Sequence, residues 1–103
     1  MAKLTVIYWR DIPAQVIVKE RRQNAKIQLS SRFEAAIDRS AMRAKKSGAD
    51  DYIAEWRKSA PVPCDDDMEK AVAKAAREIE EQYTDDRLKG LIKNKGFEAE
   101  SAE

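Results

Sequence analysis

The sequence predicts an α+β fold: an N-terminal β-hairpin plus one further strand in a small antiparallel sheet, with two main helices and a short C-terminal helix packed on it. Three observations carry this. β-branched and aromatic residues gather in two short runs before residue 20, apolar and polar residues alternate over 25 to 30, and from Ser31 the apolar spacing becomes helical.

The hairpin consists of LTVIYW (4 to 9) and AQVIV (14 to 18), both rich in residues that suit a pleated, half-buried backbone. Asp11-Ile12-Pro13 reads as the connection between them, since a proline cannot donate to a ladder and stops it running straight through. In AKIQLS (25 to 30), Ala25, Ile27 and Leu29 alternate with Lys26, Gln28 and Ser30, which suggests a short strand, although the same residues could begin a helix.

Ser31 and Glu34 stand at the spacing of a capping box, in which hydroxyl and carboxylate satisfy each other's free backbone N–H groups. Phe33, Ala36, Ile37, Ala41 and Ala44 follow at helical spacing and predict a helix from about Ser31 to Lys46 that buries this stripe. Arg43, Lys45 and Lys46 complement the negative end of its dipole, and Gly48 can close it.

The stretch DDYIAEWRK (50 to 58) supports two readings. Tyr52, Ile53 and Trp56 share a helical face, yet Tyr52, Ala54 and Trp56 share a strand face, and either arrangement buries Trp56. Pro61 and Pro63 make 60 to 64 a linker or an edge strand. A second helix starts at DDDMEK, where Asp66 and Glu69 are three apart and aspartates crowd the positive helix end. Its stripe is Met68, Val72, Ala75, Ala76, Ile79 and Tyr83. Thr84 caps a last helix to Asn94 carrying Leu88, Leu91 and Ile92, which ends near Gly96. Residues 1 to 97 then form one compact domain, and 98 to 103 an acidic, frayed tail.

A chain of 103 residues holds one modest core. It has no apolar run of membrane-spanning length and no signal-peptide pattern at its start, so the expected location is the cytoplasm. One cysteine, Cys64, excludes an internal disulfide, and the absence of histidine removes the commonest general base and transition-metal ligand. The net charge of +1 conceals segregation: residues 1 to 46 carry 11 Lys/Arg against 4 Asp/Glu, and residues 47 to 86 carry 5 against 12. Pairing of the two halves within the fold, head-to-tail association, or a basic face reserved for an acidic partner would each account for this.

Few constellations suggest chemistry. Asp65, Asp66, Asp67 and Glu69 lack the alternation and central glycine of a calcium loop, and helix capping explains them without a metal. Cys64 would need a neighbouring base or cation to become a nucleophile. The glycines form no phosphate-binding loop. Lys19, Arg21, Arg22, Lys26 and Arg32, with Tyr8 and Trp9 for stacking, could bind RNA or single-stranded DNA, although the aromatic-glycine signature of an RNA-recognition sheet is missing. No catalytic, cofactor or metal residue is assigned.

The adjacent aromatics Tyr8 and Trp9 pose a distinct question, because neighbours on a strand point to opposite faces. Leu4, Val6 and Tyr8 share one face, and Thr5, Ile7 and Trp9 the other, so both carry apolar bulk. Either the last helix or a loop covers the second face, or that face meets a partner or a second copy of the chain. The candidate contact patch is Trp9, Arg10, Asp11 and Pro13, with Arg21 and Arg22 adding complementarity to an acidic protein.

The segments LTVIYWRDIPAQVIV, SSRFEAAIDRSAMRA (30 to 44), YIAEWR (52 to 57) and DDRLKGLIKNKGF (85 to 97) resemble the small bacterial domain family called "virulence factor". That name is a genetic label and brings no catalytic residues. The resemblance implies proximity to cobalamin-dependent methyl transfer, as an accessory to a split methionine synthase. The expected function is a non-catalytic, cytoplasmic accessory protein that binds another protein, with nucleic-acid binding as the alternative and no cofactor.

Overall fold

The computed structural model describes residues 2–45 and 48–97. Among these, strands β1 (Lys3–Trp9), β2 (Ile12–Glu20), β3 (Gln23–Gln28), β4 (Trp56–Lys58) and β5 (Val62–Pro63) form one antiparallel sheet in the order β3-β2-β1-β4. Strand β5 also pairs with β1, further along the edge that β4 occupies. Helices α1 (Ser31–Arg43), α2 (Ala49–Ala54), α3 (Met68–Gln82) and α4 (Asp85–Lys93) complete the α+β fold. Helix α3 lies along β2 and β3, while α1 and α4 pack on each other.

The opening hairpin is tighter than its proline suggests. Trp9 pairs with Ile12 and Tyr8 with Pro13, so the connection is only Arg10-Asp11 and Pro13 belongs to β2. The register then skips Ala14, a β-bulge opposite the Ile7–Tyr8 step. The bulge absorbs the proline's missing donor within the ladder, and the Ala14 carbonyl instead accepts from the Leu29 N–H at 2.9 Å.

Residues 50 to 58 satisfy both readings in turn: α2 carries Tyr52, and Trp56 opens β4. Trp56 is half-buried, its ring edge-on to Tyr52. The prolines at 61 and 63 flank and end an edge strand, where a missing donor costs no ladder bond. Between the two edge strands, Ser59 bridges to β1, its N–H donating to the Val6 carbonyl and its Oγ accepting from the Val6 N–H, each at 2.9 Å.

Helix starts differ from the spacing-based reading in two places. The Ser31–Glu34 capping box does not form: Ser30 is the N-cap of α1, without a side-chain bond to its own helix. The carboxylate of Glu80 on α3 does that work from outside, accepting from Ser30 N–H at 2.7 Å and Ser30 Oγ at 2.9 Å. At α3 the cap is Asp67, which accepts from Lys70 N–H, rather than Asp66. Thr84 caps α4 as its position predicts. Gly48 begins α2 instead of closing α1. Lys46 and the acidic tail at 98 to 103 lie outside the described residues.

The core combines Val6, Val16, Val18 and Ala25 of the sheet with Phe33, Ala36, Ile37 and Ala41 of α1 and with Ala71, Val72 and Ala76 of α3. Leu88 and Leu91 of α4 join it, and so do Trp9 and Ile12 at the hairpin's turn end. Helix α4 ends in a Schellman motif: Gly96 N–H donates to Leu91 O at 2.7 Å and Lys95 N–H to Ile92 O at 3.0 Å. Both Lys95 and Gly96 have positive φ, and a Cβ on Gly96 would lie 2.9 Å from the Trp9 ring.

Two expectations follow. Gly96→Ala meets both that contact and the φ of +96°, and should lower unfolding free energy by about 1–3 kcal/mol, read as a lower urea midpoint at unchanged slope. For Glu80, partial burial pushes the carboxyl up, but the hydrogen bonds from Ser30 and Arg32 outweigh it and hold the group below its ordinary 4.5. A carboxyl with a depressed folded-state value contributes stability above its unfolded value, and that stability drains as pH falls through the folded one. Glu80→Gln should therefore flatten the loss of stability that the native chain shows on acidification below 4.5. Parallel curves for the two proteins would remove Glu80 from the network.

Candidate interaction surface

The residues of the hairpin turn do not form the contact patch expected of them. Trp9 is fully buried, and Pro13 is among the fully buried side chains. The indole stacks on Tyr52 at 5.8 Å and donates from Nε1 to the Tyr52 carbonyl at 3.0 Å. Asp11 is half-buried, and its N–H donates to the Gly96 carbonyl at 2.9 Å.

Arg10 has a left-handed backbone, with φ of 54°, a conformation that usually selects glycine or asparagine in such a turn. Surrounding contacts hold it there. Its N–H donates to Glu55 O at 3.1 Å, and its side chain is only 8% exposed. One guanidinium nitrogen donates to Lys95 O at 2.8 Å and another to the Glu55 carboxylate at 3.2 Å. The guanidinium lies between the Trp9 ring, at 5.2 Å, and the Phe97 ring, at 4.5 Å. Arg57 adds a strap: its Nε donates to Arg10 O at 2.9 Å, another nitrogen to Asp11 Oδ1 at 3.0 Å, and its plane covers Tyr8 at 4.6 Å. Together these contacts tie the chain's two ends and its middle into one latch.

Arg21 and Arg22 are exposed, in the turn that joins β2 to β3. They sit beyond the far end of the nine-residue β2, roughly 25–30 Å from Arg10 at the usual rise per residue. The six residues read as one patch are therefore two separate places, one of them mostly interior.

The uncovered part of the sheet is the face opposite α3. Leu4, on the α3 side, borders Ala71 and Ala75, whereas its neighbours Lys3 and Thr5 line a shallow depression of about 450 Å³ on the other side, with Ile17, Lys19, Lys58, Ser59 and Pro61. Alternation extends the surface. Lys3 lies across from Lys19, Thr5 from Ile17 and Ile17 from Lys26, while Ile7 faces Gln15 on one side and Lys58 on the other. Ile7 and Ile17 are half-buried, and the four lysines are exposed. Among the described residues, none of these lysines forms an ion pair.

Alternation along β1 points to a second apolar face, and its accessible apolar residues are Ile7 and Ile17, with Trp9 enclosed. The usable signal was one lysine on each strand, Lys3, Lys19 and Lys26, at a position that shares a face with Thr5, Ile7 or Ile17.

The Cys64 region does not build a reactive centre. Partial burial, then Asp65, Asp66 and Glu20, raise the thiol above its ordinary 9.0. Asp65 accepts from Asp67 N–H and Asp67 caps α3, so both have backbone partners. Among the described residues no three His, Cys, Asp or Glu side chains converge as a metal site, and no helix is long and apolar enough to cross a membrane.

A family model described as "Virulence factor" matches residues 7–92. The chain belongs to the virulence-factor family. No curated protein and no solved structure gives a match. The match takes in β2, β3, β4 and the Arg10-Asp11 turn with Glu55 and Arg57, and stops short of Lys3 and Thr5 at one end and of the latch residues Lys95, Gly96 and Phe97 at the other.

The Cys64 environment has a kinetic consequence. The rate of alkylation by iodoacetamide should rise with pH along a curve whose midpoint lies above 9.0. A midpoint near neutrality would instead mark an activated thiol and revive the nucleophile.

Proposed function

We propose that this virulence-factor domain is a non-catalytic protein-interaction module that engages its partner through the sheet face opposite α3. One observation carries the reading: Ile7 and Ile17 remain partly solvent-exposed on a sheet surface bordered by lysines that, among the described residues, form no ion pair. Apolar side chains ringed by polar ones on an ordered scaffold are the usual make-up of a docking site. The scaffold is ordered because the opposite face packs on α3, so the surface needs little rearrangement to bind.

The enzyme alternative loses support from the raised Cys64 thiol and the capping roles of the aspartates. The nucleic-acid alternative loses support from the position of the aromatics. Trp9 is interior and Tyr8 lies under Arg57, so neither of the two rings that the hairpin offers for stacking is free to receive a base. An accessory role beside cobalamin-dependent methyl transfer is one process in which such a module would serve, in the cytoplasm, without itself holding the cofactor.

The reading is tested with a photo-crosslinking residue placed at Ile17 and, as a control, at the exposed Ala73 of α3, in the full chain expressed in cells. The expected outcome is a discrete protein adduct from position 17 and none from position 73. Adducts of equal strength from both positions, or none from position 17, would remove the sheet face as the docking site.

A further inference from the structure

We infer that the partner docks an acidic segment anchored by one or two aliphatic side chains on this lysine-bordered face. The inference rests on the interaction-module reading and adds the partner's chemistry. Its first support is the charge inventory. The ladder register puts Lys3, Lys19, Lys26 and Lys58 on one face with Thr5, Ile7, Gln15 and Ile17 and brings no carboxylate among them. Three arginines of the same fold behave differently: Arg10 meets Glu55, Arg32 meets Glu80 and Asp85, and Arg57 meets Asp11. Among the described residues, carboxylates thus meet these three arginines and none meets the four lysines of this face.

The second support is the Lys3–Lys19 pair. Like charges directly across a ladder destabilise a sheet. Lysine commonly protects edge strands from unwanted pairing, but β2, which carries Lys19, is bonded on both sides by β1 and β3. Edge protection therefore does not account for it, whereas an anionic partner that neutralises both charges does.

The third support is the centre of the surface. Ile7 and Ile17 offer aliphatic contact and no ring, which suits a leucine- or valine-like side chain better than a base. Ile17 lines the shallow depression together with Lys3, Lys19 and Lys58, and a concave site suits a protruding peptide side chain better than insertion into a lipid layer. The strands carrying the face present it over residues 3 to 7 of β1, a span of about 13 Å, which matches a short peptide segment.

The experiment selects from a random displayed peptide library on the intact protein and on the double variant Lys19→Glu/Lys26→Glu. Both positions are exposed, and thermal unfolding checks that the variant folds. The expected result is a set of peptides with net negative charge and an aliphatic residue between acids. Their binding should fall at least about tenfold with the variant and shift the amide resonances of Thr5, Ile7, Ile17 and Lys26. Lys19→Glu alone should raise the melting temperature by about 2–5 °C, because it turns a like-charge pair into an opposite one, while it weakens peptide binding. A surface kept only for stability could not give those two opposite changes.

Parallel titrations use polyuridine and vesicles containing phosphatidylserine. Selected peptides that are neutral or basic, peptides that bind the variant equally, failure to enrich any peptide, or tighter binding to polyuridine or vesicles than to every peptide would each overturn the proposal. A protein adduct at position 17 combined with neutral selected peptides would sink the acidic chemistry and leave the docking face standing; loss of both would sink the two together.

Discussion

The fold depends on the guanidinium of Arg10. Three parts of the chain distant in sequence meet at it: the hairpin turn, the Glu55 connection between α2 and β4, and the Lys95–Phe97 segment after α4. Strands β1 and β2 could pair without it, since their ladder is local. What they could not do locally is hold the chain's last helix and its short middle elements against the turn end. Arg10 does so with two charge-assisted hydrogen bonds and two ring faces, and the fixed planar geometry of a guanidinium allows both sets at once. An αL arginine is energetically unfavourable by itself, and it persists because the surrounding contacts determine it many times over.

The same principle explains how the segregated charges are used. The basic first half and acidic middle do pair within the fold, through Arg10–Glu55, Arg32–Glu80 and Arg32–Asp85. Arginine does this because it is weakly hydrated and can bind carboxylates and carbonyls together; Arg32 also donates to the Tyr83 and Glu80 carbonyls. Lysine is more strongly hydrated and loses more on burial. Arg10, Arg32 and Arg57 accordingly sit at joints between elements, while Lys3, Lys19, Lys26 and Lys58 lie on the open face of the sheet.

Much of the architecture was legible because it rests on periodicity. The alternating run at 25 to 30, the Phe33–Ala41 stripe, the Val72–Ala76 stripe and the Thr84 cap are local signals, and each element formed where its signal stood. The misreadings share a physical cause: a partner distant in sequence replaced a local one. Ser31 and Glu34 were the right residues for a capping box, but Glu80 reached Ser30 from another helix. Pro13 looked like a turn because its strand tolerates it only through a bulge at Ala14. Trp9 looked like a surface aromatic under strict alternation, and no local pattern announces that Tyr52 and Gly96 will enclose it. The open face was not legible without the register, since a single lysine on each strand shows no common side until pairing aligns the strands.

The burial of the turn changes where specificity can reside. An aromatic–arginine cluster makes a strong interface hot spot when a partner completes it, and here the chain completes it by itself with Phe97, Lys95 and Glu55. Opening that cluster to admit another protein would break the two side-chain hydrogen bonds of Arg10 and leave a nearly buried cation without partners, a cost of several kcal/mol. The lysine face demands no such sacrifice, because its cations are hydrated before binding and no internal pair has to be broken. A partner that supplied carboxylates there would exchange water for charge, relieve the Lys3–Lys19 repulsion and bury the two isoleucines together. The latch and the face thus divide the labour: Arg10, Arg32 and Arg57 tie elements together, and the sheet they help to hold carries the four lysines that the proposed acidic segment would meet.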